Sequence, residues 1–185
     1  DRNAQKSGRP RLAGSGSLAA MAIEIEGVLP AGLTTEYLVN HGAPQSEGSP
    51  SIMLTRHETD GVLELAHLTT AVDDQFTAEE TRAFATLITR LLGEKASVEA
   101  VVRELEKRRT EEGLEGRLAG AVKKLARREA AELAYKISFA LSMVDLATDD
   151  DEADFDAGVV AALGIGEERA QELANEVFEA LSPEE

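Results

Sequence analysis

Residues 63–93 read LELAHLTTAVDDQFTAEETRAFATLITRLLG, and this stretch decides the expected fold. Leu65, Leu68 and Val72 recur at helical spacing, with Leu63 and Ala66 beside them. The chain turns acidic at Asp73-Asp74 and reopens on Thr77-Ala78-Glu79-Glu80. That order is a capping box. The Thr hydroxyl accepts from a backbone N–H of the new helix while the Glu carboxylate reaches back to the Thr N–H. Phe84, Leu87, Ile88, Leu91 and Leu92 then form a continuous apolar stripe, which Gly93 stops. The unit is a helical hairpin with an acidic bend.

A second stretch has the same plan. Residues 137–164 read ISFALSMVDLATDDDEADFDAGVVAALG: a small-residue-rich helix, clustered Asp, a second apolar helix and a Gly stop. Asp73 then corresponds to Asp149, and pseudo-symmetry would set the two acidic bends side by side. Between the repeats, Ser97 caps a charged helix carrying Val98, Val101, Val102 and Leu105, and Gly113 ends it. Leu114, Leu118, Ala121, Val122 and Leu125 mark the next helix. No Gly or Pro follows Gly120 before Leu146, so the spacing allows one unbroken helix there. Tyr135, Phe139, Met143 and Leu146 line one side of it as core. After the second acidic bend, helices are expected over 153–163 and 167–181, split by Gly164-Ile165-Gly166.

Upstream of this body, residues 1–20 are rich in Gly, Ser, Arg and Ala and read as a flexible arm. Ile23, Ile25 and Val28-Leu29 alternate weakly with acids and Gly27, and Pro and Gly punctuate the rest up to Pro50. Residues 1–50 are therefore expected to be an extended or flexible arm, with a short turn near 35–40, and the part after residue 22 either lies against the helical body or stays mobile. Residues 51–185 are expected to form one all-α domain, a bundle of about six or seven helices with an internal pseudo-repeat. The composition agrees: 43% of residues are hydrophobic but only 4% aromatic, so the core is aliphatic and suits close helix packing.

Composition also excludes functions. The chain has no Cys, which rules out disulfides, thiolate metal sites and Cys nucleophiles. A net charge of −16 argues against nucleic acid as a partner, because phosphate binding needs clustered cations. No run approaches the ~20 apolar residues that span a bilayer, no secretory leader is visible, and a cytoplasmic location is the expectation. His41, His57 and His67 lack the spacing of a zinc site, and His67 reads as a buried helix residue. No nucleophile elbow, phosphate-binding loop or dinucleotide fingerprint occurs, so the chain is expected not to be an enzyme.

The charge is uneven. Residues 145–185 hold 14 acids and one base, whereas residues 103–136 hold 10 bases and 7 acids. Arg103, Lys107, Arg108, Lys123, Lys124, Arg127 and Arg128 could form a basic strip for a protein partner or an anionic lipid surface. Alternatively, these cations pair along their own helices with Glu104, Glu129 and Glu132. The acids pose a parallel choice. Asp73, Glu80, Asp149 and Asp156 offer the carboxylate oxygens that Ca²⁺ or Mg²⁺ prefers. Alternatively, Glu80 completes its capping box, Asp151 caps the next helix, and the remaining acids favour its N-terminal end. An EF-hand fails on register, since Asp154 stands where that loop needs Gly.

The order helix, Asp-Gly-x-Ile-x-x-x-Glu, helix characterises the TerB-like family of tellurite-resistance proteins and DnaJ-type membrane chaperones. Residues 55–182 resemble it, with Asp73-Asp74-Gln75-Phe76-Thr77-Ala78-Glu79-Glu80 in the motif. Asp74 replaces the usual Gly. The second copy, from Asp149 to Asp156, lacks the apolar residue at its fourth place. The resemblance implies an all-α fold, acidic bends grouped as a divalent-cation site, and a stress-response role at the inner face of a membrane. The functional expectation is thus a non-enzymatic helical module that binds a cation, a protein partner or both. The alternatives are an assembly protein that docks through residues 22–50 and a metal-dependent hydrolase.

Overall fold

A computed structural model of the chain describes residues 37–38, 53–71, 77–143 and 150–181. Among them are six helices and no strand: α1 (Arg56–Thr70), α2 (Ala78–Leu92), α3 (Val98–Lys124), α4 (Arg128–Ser142), α5 (Asp150–Leu163) and α6 (Glu167–Leu181). The all-α bundle expected from the periodicity is the architecture observed.

α1 is the central helix. Its start lies upstream of the apolar stripe, because Thr55-Arg56-His57-Glu58 is itself a capping box. The Glu58 N–H donates to Thr55 Oγ1 at 3.3 Å, and the Thr55 N–H donates to Glu58 Oε2 at 2.7 Å. Every residue from Gly61 to Leu68 is buried. A helix covered on all sides cannot stay amphipathic, and this one has α2, α3 and α4 packed around it. Gly61 marks the closest approach to α3. A Cβ built there would sit 3.0 Å from Leu125 Cγ and from Lys124 Cβ, and 3.1 Å from the Ala121 carbonyl oxygen.

α2 opens on the expected box: the Glu80 N–H donates to Thr77 Oγ1 at 3.1 Å and the Thr77 N–H to Glu80 Oε2 at 2.7 Å. It buries Ala83, Phe84, Leu87 and Ile88 and ends at Gly93, whose φ of +86° suits a residue without a Cβ. Ser97 caps α3, accepting from the Ala100 N–H at 3.3 Å. At Gly113 the φ is +73° and the backbone leaves helical geometry, so α3 is two helical segments joined by a kink.

The unbroken helix allowed by the sequence from Leu114 to Leu146 is not observed. The chain breaks at Leu125–Arg127. Leu125 is buried against α1, and Arg127 bonds to Glu58 and to the Met53 carbonyl. Because α3 and α4 both pack on α1, the chain must turn between them, and tertiary contact overrides local propensity. α4 then buries Ala130, Ala131, Ala134 and Ala140 beside Leu133, Tyr135, Ile137 and Leu141. Those small residues let neighbours approach closely. α6 packs on α4 through Ala170, Leu173, Ala174, Val177 and Leu181, and α5 packs on α3 and α4.

The two repeat-like stretches each fold as a pair of helices, α1–α2 and α4–α5. The bends between them, residues 72–76 and 144–149, lie outside the described residues, as do Leu146 and all of residues 1–52 except Tyr37 and Leu38. Those two residues are helical and buried in the common core. Burial pushes the Tyr37 phenol up to about 12, with the charge of Glu176 adding to it, which places Tyr37 beside α6.

Candidate functional site

Of the four acids proposed from sequence as cation ligands, Asp73 and Asp149 lie outside the described residues. Glu80 is buried, and its carboxylate accepts the Thr77 N–H of the capping box. Asp156 lies on α5 near Tyr135. Burial raises its carboxyl to about 6, and its charge in turn adds to the burial that raises the Tyr135 phenol. α2 packs on α1, α3 and α4, and α5 packs on α3 and α4. Asp151 falls inside the first turn of α5, which starts at Asp150, and so does not occupy the cap position expected of it. Among the described residues no group of three or more His, Asp or Glu side chains is placed to hold a metal ion.

The proposed basic strip is divided between two fates. Arg108, Lys124, Arg127 and Arg128 are drawn into ion pairs, and Lys107 lies 3.9 Å from Glu111 with both side chains exposed. Arg103 and Lys123 are exposed and have no carboxylate partner among the described residues. The pairs are mostly between helices rather than along one. Glu64 of α1, only 2% exposed, faces Arg108 at 3.0 Å, Lys124 at 2.8 Å and the Arg117 guanidinium. Asp60, one turn earlier, pairs with Lys124 and lies 3.6 Å from Arg108. Arg108 also holds Glu104 at 2.9 Å, and Arg117 holds Glu112 at 3.1 Å. Burial works against ionisation of Asp60, but the Lys124 hydrogen bond and the surrounding cations outweigh it and keep its carboxyl below the usual range. Glu58 is held at about 2, chiefly by its Arg127 hydrogen bonds of 2.6 and 2.9 Å. Glu132 is likewise held at about 2, chiefly by Arg169 at 2.8 Å.

His67 is fully buried in α1, as expected. Its Nε2 is 3.5 Å from Glu106 Oε2, and its ring centroid is 5.9 Å from that of Phe84. Burial lowers its pKa, so the neutral imidazole is the form the fold prefers.

The opposite signs of these shifts make a prediction. Asp156 has a folded pKa raised from 3.8 to about 6, so its neutral form is favoured in the fold. That contribution is complete below pH 3.8 and is lost as pH rises through about 6. His67 acts in the other direction, stabilising above its ordinary value of 6.5 and losing that effect as pH falls. Comparing the wild type with Asp156→Asn cancels the His67 contribution. The variant is expected to melt above the wild type at pH 7, and the gap is expected to close by about pH 4. A gap that stays constant over that range would show that Asp156 is not a desolvated acid.

The described surface also carries an open groove of about 770 Å³ between the first half of α1, the end of α2 and the start of α3. Leu54, Leu63, Leu91, Leu92, Val101 and Leu105 supply its apolar lining, and Arg56, His57, Asp60, Glu104 and Arg108 its polar edge. Leu92 is 45% exposed, and Met53 at the approach to α1 is 74% exposed. The buried ion network therefore forms one wall of the groove through Asp60 and Arg108. Neither feature was singled out from the sequence. A signal for the network existed, since Asp60 and Glu64 lie four apart and so share one face of the helix. Nothing local reveals which part of a helix its neighbours leave uncovered.

No family model, curated protein or solved structure matches the chain.

Proposed function

We propose that the chain is a non-enzymatic helical interaction module whose α1–α2–α3 groove receives an apolar segment of a protein partner. The observation that supports this reading is the exposed Leu92 beside the apolar lining of a groove large enough to admit side chains. Apolar surface left open to water is unfavourable by roughly 25 cal/mol per Å², and covering it with a partner recovers that energy. The TerB-like resemblance favours the same class of role, within a stress-response assembly near a membrane face.

Methyl NMR on the full chain tests this. A helical peptide with a leucine stripe and glutamine on its polar face is expected to shift the methyls of Leu54, Leu63, Leu92 and Val101. Leu92→Glu is expected to abolish those shifts without lowering the melting temperature. Shifts confined to other parts of the bundle, or none at millimolar peptide, would sink the reading.

A second reading, a Ca²⁺ or Mg²⁺ site that includes Asp156, is favoured by one observation: the half-buried Asp156 carboxylate has no ion pair among the described residues and its charged form is disfavoured. A nearby cation would relieve that cost. Calorimetric titration with either metal is expected to give heat that Asp156→Asn and Asp149→Asn remove. Identical titrations of the wild type and both variants would rule it out.

A further inference from the structure

We infer that the segment received by the groove is an acidic amphipathic helix. The inference rests on the groove being a docking site and adds the chemistry of its occupant. The groove is lined from Arg56 to Leu63 on α1 and from Ala100 to Arg108 on α3. At 1.5 Å per residue each lip runs for about 12 Å, or a little over two turns. That length suits apolar anchors at i, i+3 or i+4, and i+7 of an incoming helix.

The acids on the lips already hold ion pairs within the molecule. Asp60 is engaged by Lys124 and Arg108, and Glu104 by Arg108. Arg108 is itself shared among three acids. Both acidic lining residues are thus already engaged by cations of the molecule itself. Arg56 is exposed and has no partner among the described residues, and His57 beside it has none either. These two are the first residues of α1, where the aligned backbone dipoles leave partial positive charge that disfavours a cation. Glu58, the acid of that turn, is consumed by Arg127 and by the Thr55 cap. One end of an apolar groove therefore carries uncompensated positive charge. A carboxylate flanking the apolar stripe of a partner helix would meet Arg56 and the α1 N-terminus together.

The whole chain carries −16, which opposes the approach of an acidic partner at long range. That field is screened within about 8 Å at physiological salt. Recognition is accordingly a contact effect: apolar burial supplies the affinity, and Arg56 selects the sign of charge.

Fluorescence anisotropy on the full chain tests the inference with three labelled peptides. They share one leucine stripe and carry Glu, Gln or Lys on the flanking positions. The Glu peptide is expected to bind about fivefold tighter than the Lys peptide, the scale of a partly exposed ion pair near a helix end. Arg56→Glu is expected to reverse that order while the Gln peptide keeps its affinity. Equal binding of all three, or a preference for Lys, overturns the acidic occupant while leaving the groove reading intact. No binding by any of the three overturns both. Light scattering that finds a dimer dissociated by Leu92→Glu assigns the groove to a second copy and also overturns the inference.

Discussion

Glu64→Ala is expected to destabilise the protein by about 3–5 kcal/mol, read as a drop in the urea midpoint with little change in slope. The size follows from what the substitution leaves behind rather than from the strength of the lost pairs. Glu64 is 2% exposed and touches Arg108, Arg117 and Lys124. Without it, Arg108 retains Glu104 and Asp60, and Lys124 retains Asp60. Arg117 retains the ion pair with Glu112, whose side chain is half exposed, and the charge of Asp60 nearby. The stranded charge is therefore the Arg117 guanidinium, buried between α1 and α3. It follows that Glu64→Leu combined with Arg117→Met should recover most of the loss, because an apolar pair of similar volume avoids the desolvation of both ions. If Glu64→Ala alone is nearly neutral, or if the double variant is worse than either single one, the network is not organised around Arg117.

The helix ends that could be read in advance are those written in local chemistry. Thr77 with Glu80, Ser97, and the glycines at 93, 113 and 164 each act on the backbone within a turn of themselves, so residue type and position suffice. Thr55 with Glu58 uses the same chemistry, but it precedes the apolar stripe, and periodicity alone places the start near Asp60 instead. The turn at Leu125–Arg127 has no Gly, Pro or side-chain cap and exists because α3 and α4 pack on one helix. The partners of Glu64 are likewise non-local, lying 44 and 60 residues along the chain in Arg108 and Lys124. A basic stretch opposite an acidic helix face is legible as complementary charge, yet whether the cations face a neighbour or an outside partner depends on the fold. Five of the seven strip cations are exposed, and Arg108 and Lys124 turn toward the carboxylates of α1. Arg56, Arg82, Lys95, Arg103 and Lys123 are exposed and have no carboxylate partner among the described residues.

Leu38 carries the second strong expectation. Leu38 lies in a segment punctuated by Pro and Gly that composition assigns to an arm, yet it is 0% exposed and belongs to the same apolar core as Leu65, Ile137 and Val177. Its neighbour Tyr37 feels the charge of Glu176 on α6, so this short helical piece sits where the carboxy-terminal helix closes the bundle. Leu38→Ala in the full chain should cost about 2–5 kcal/mol, the transfer energy of the missing atoms plus the cavity left in a packed site. Leu114, 39% exposed on α3, supplies the control, and its change to Ala should stay within about 0.5 kcal/mol. Equal urea midpoints for the two variants would mean that Leu38 is not packed as described and that the core is complete without the residues before 53. A large loss for Leu38 alone would make residues 37 and 38 a structural part of the bundle, so that truncating the chain at the composition boundary near 50 removes core rather than tail.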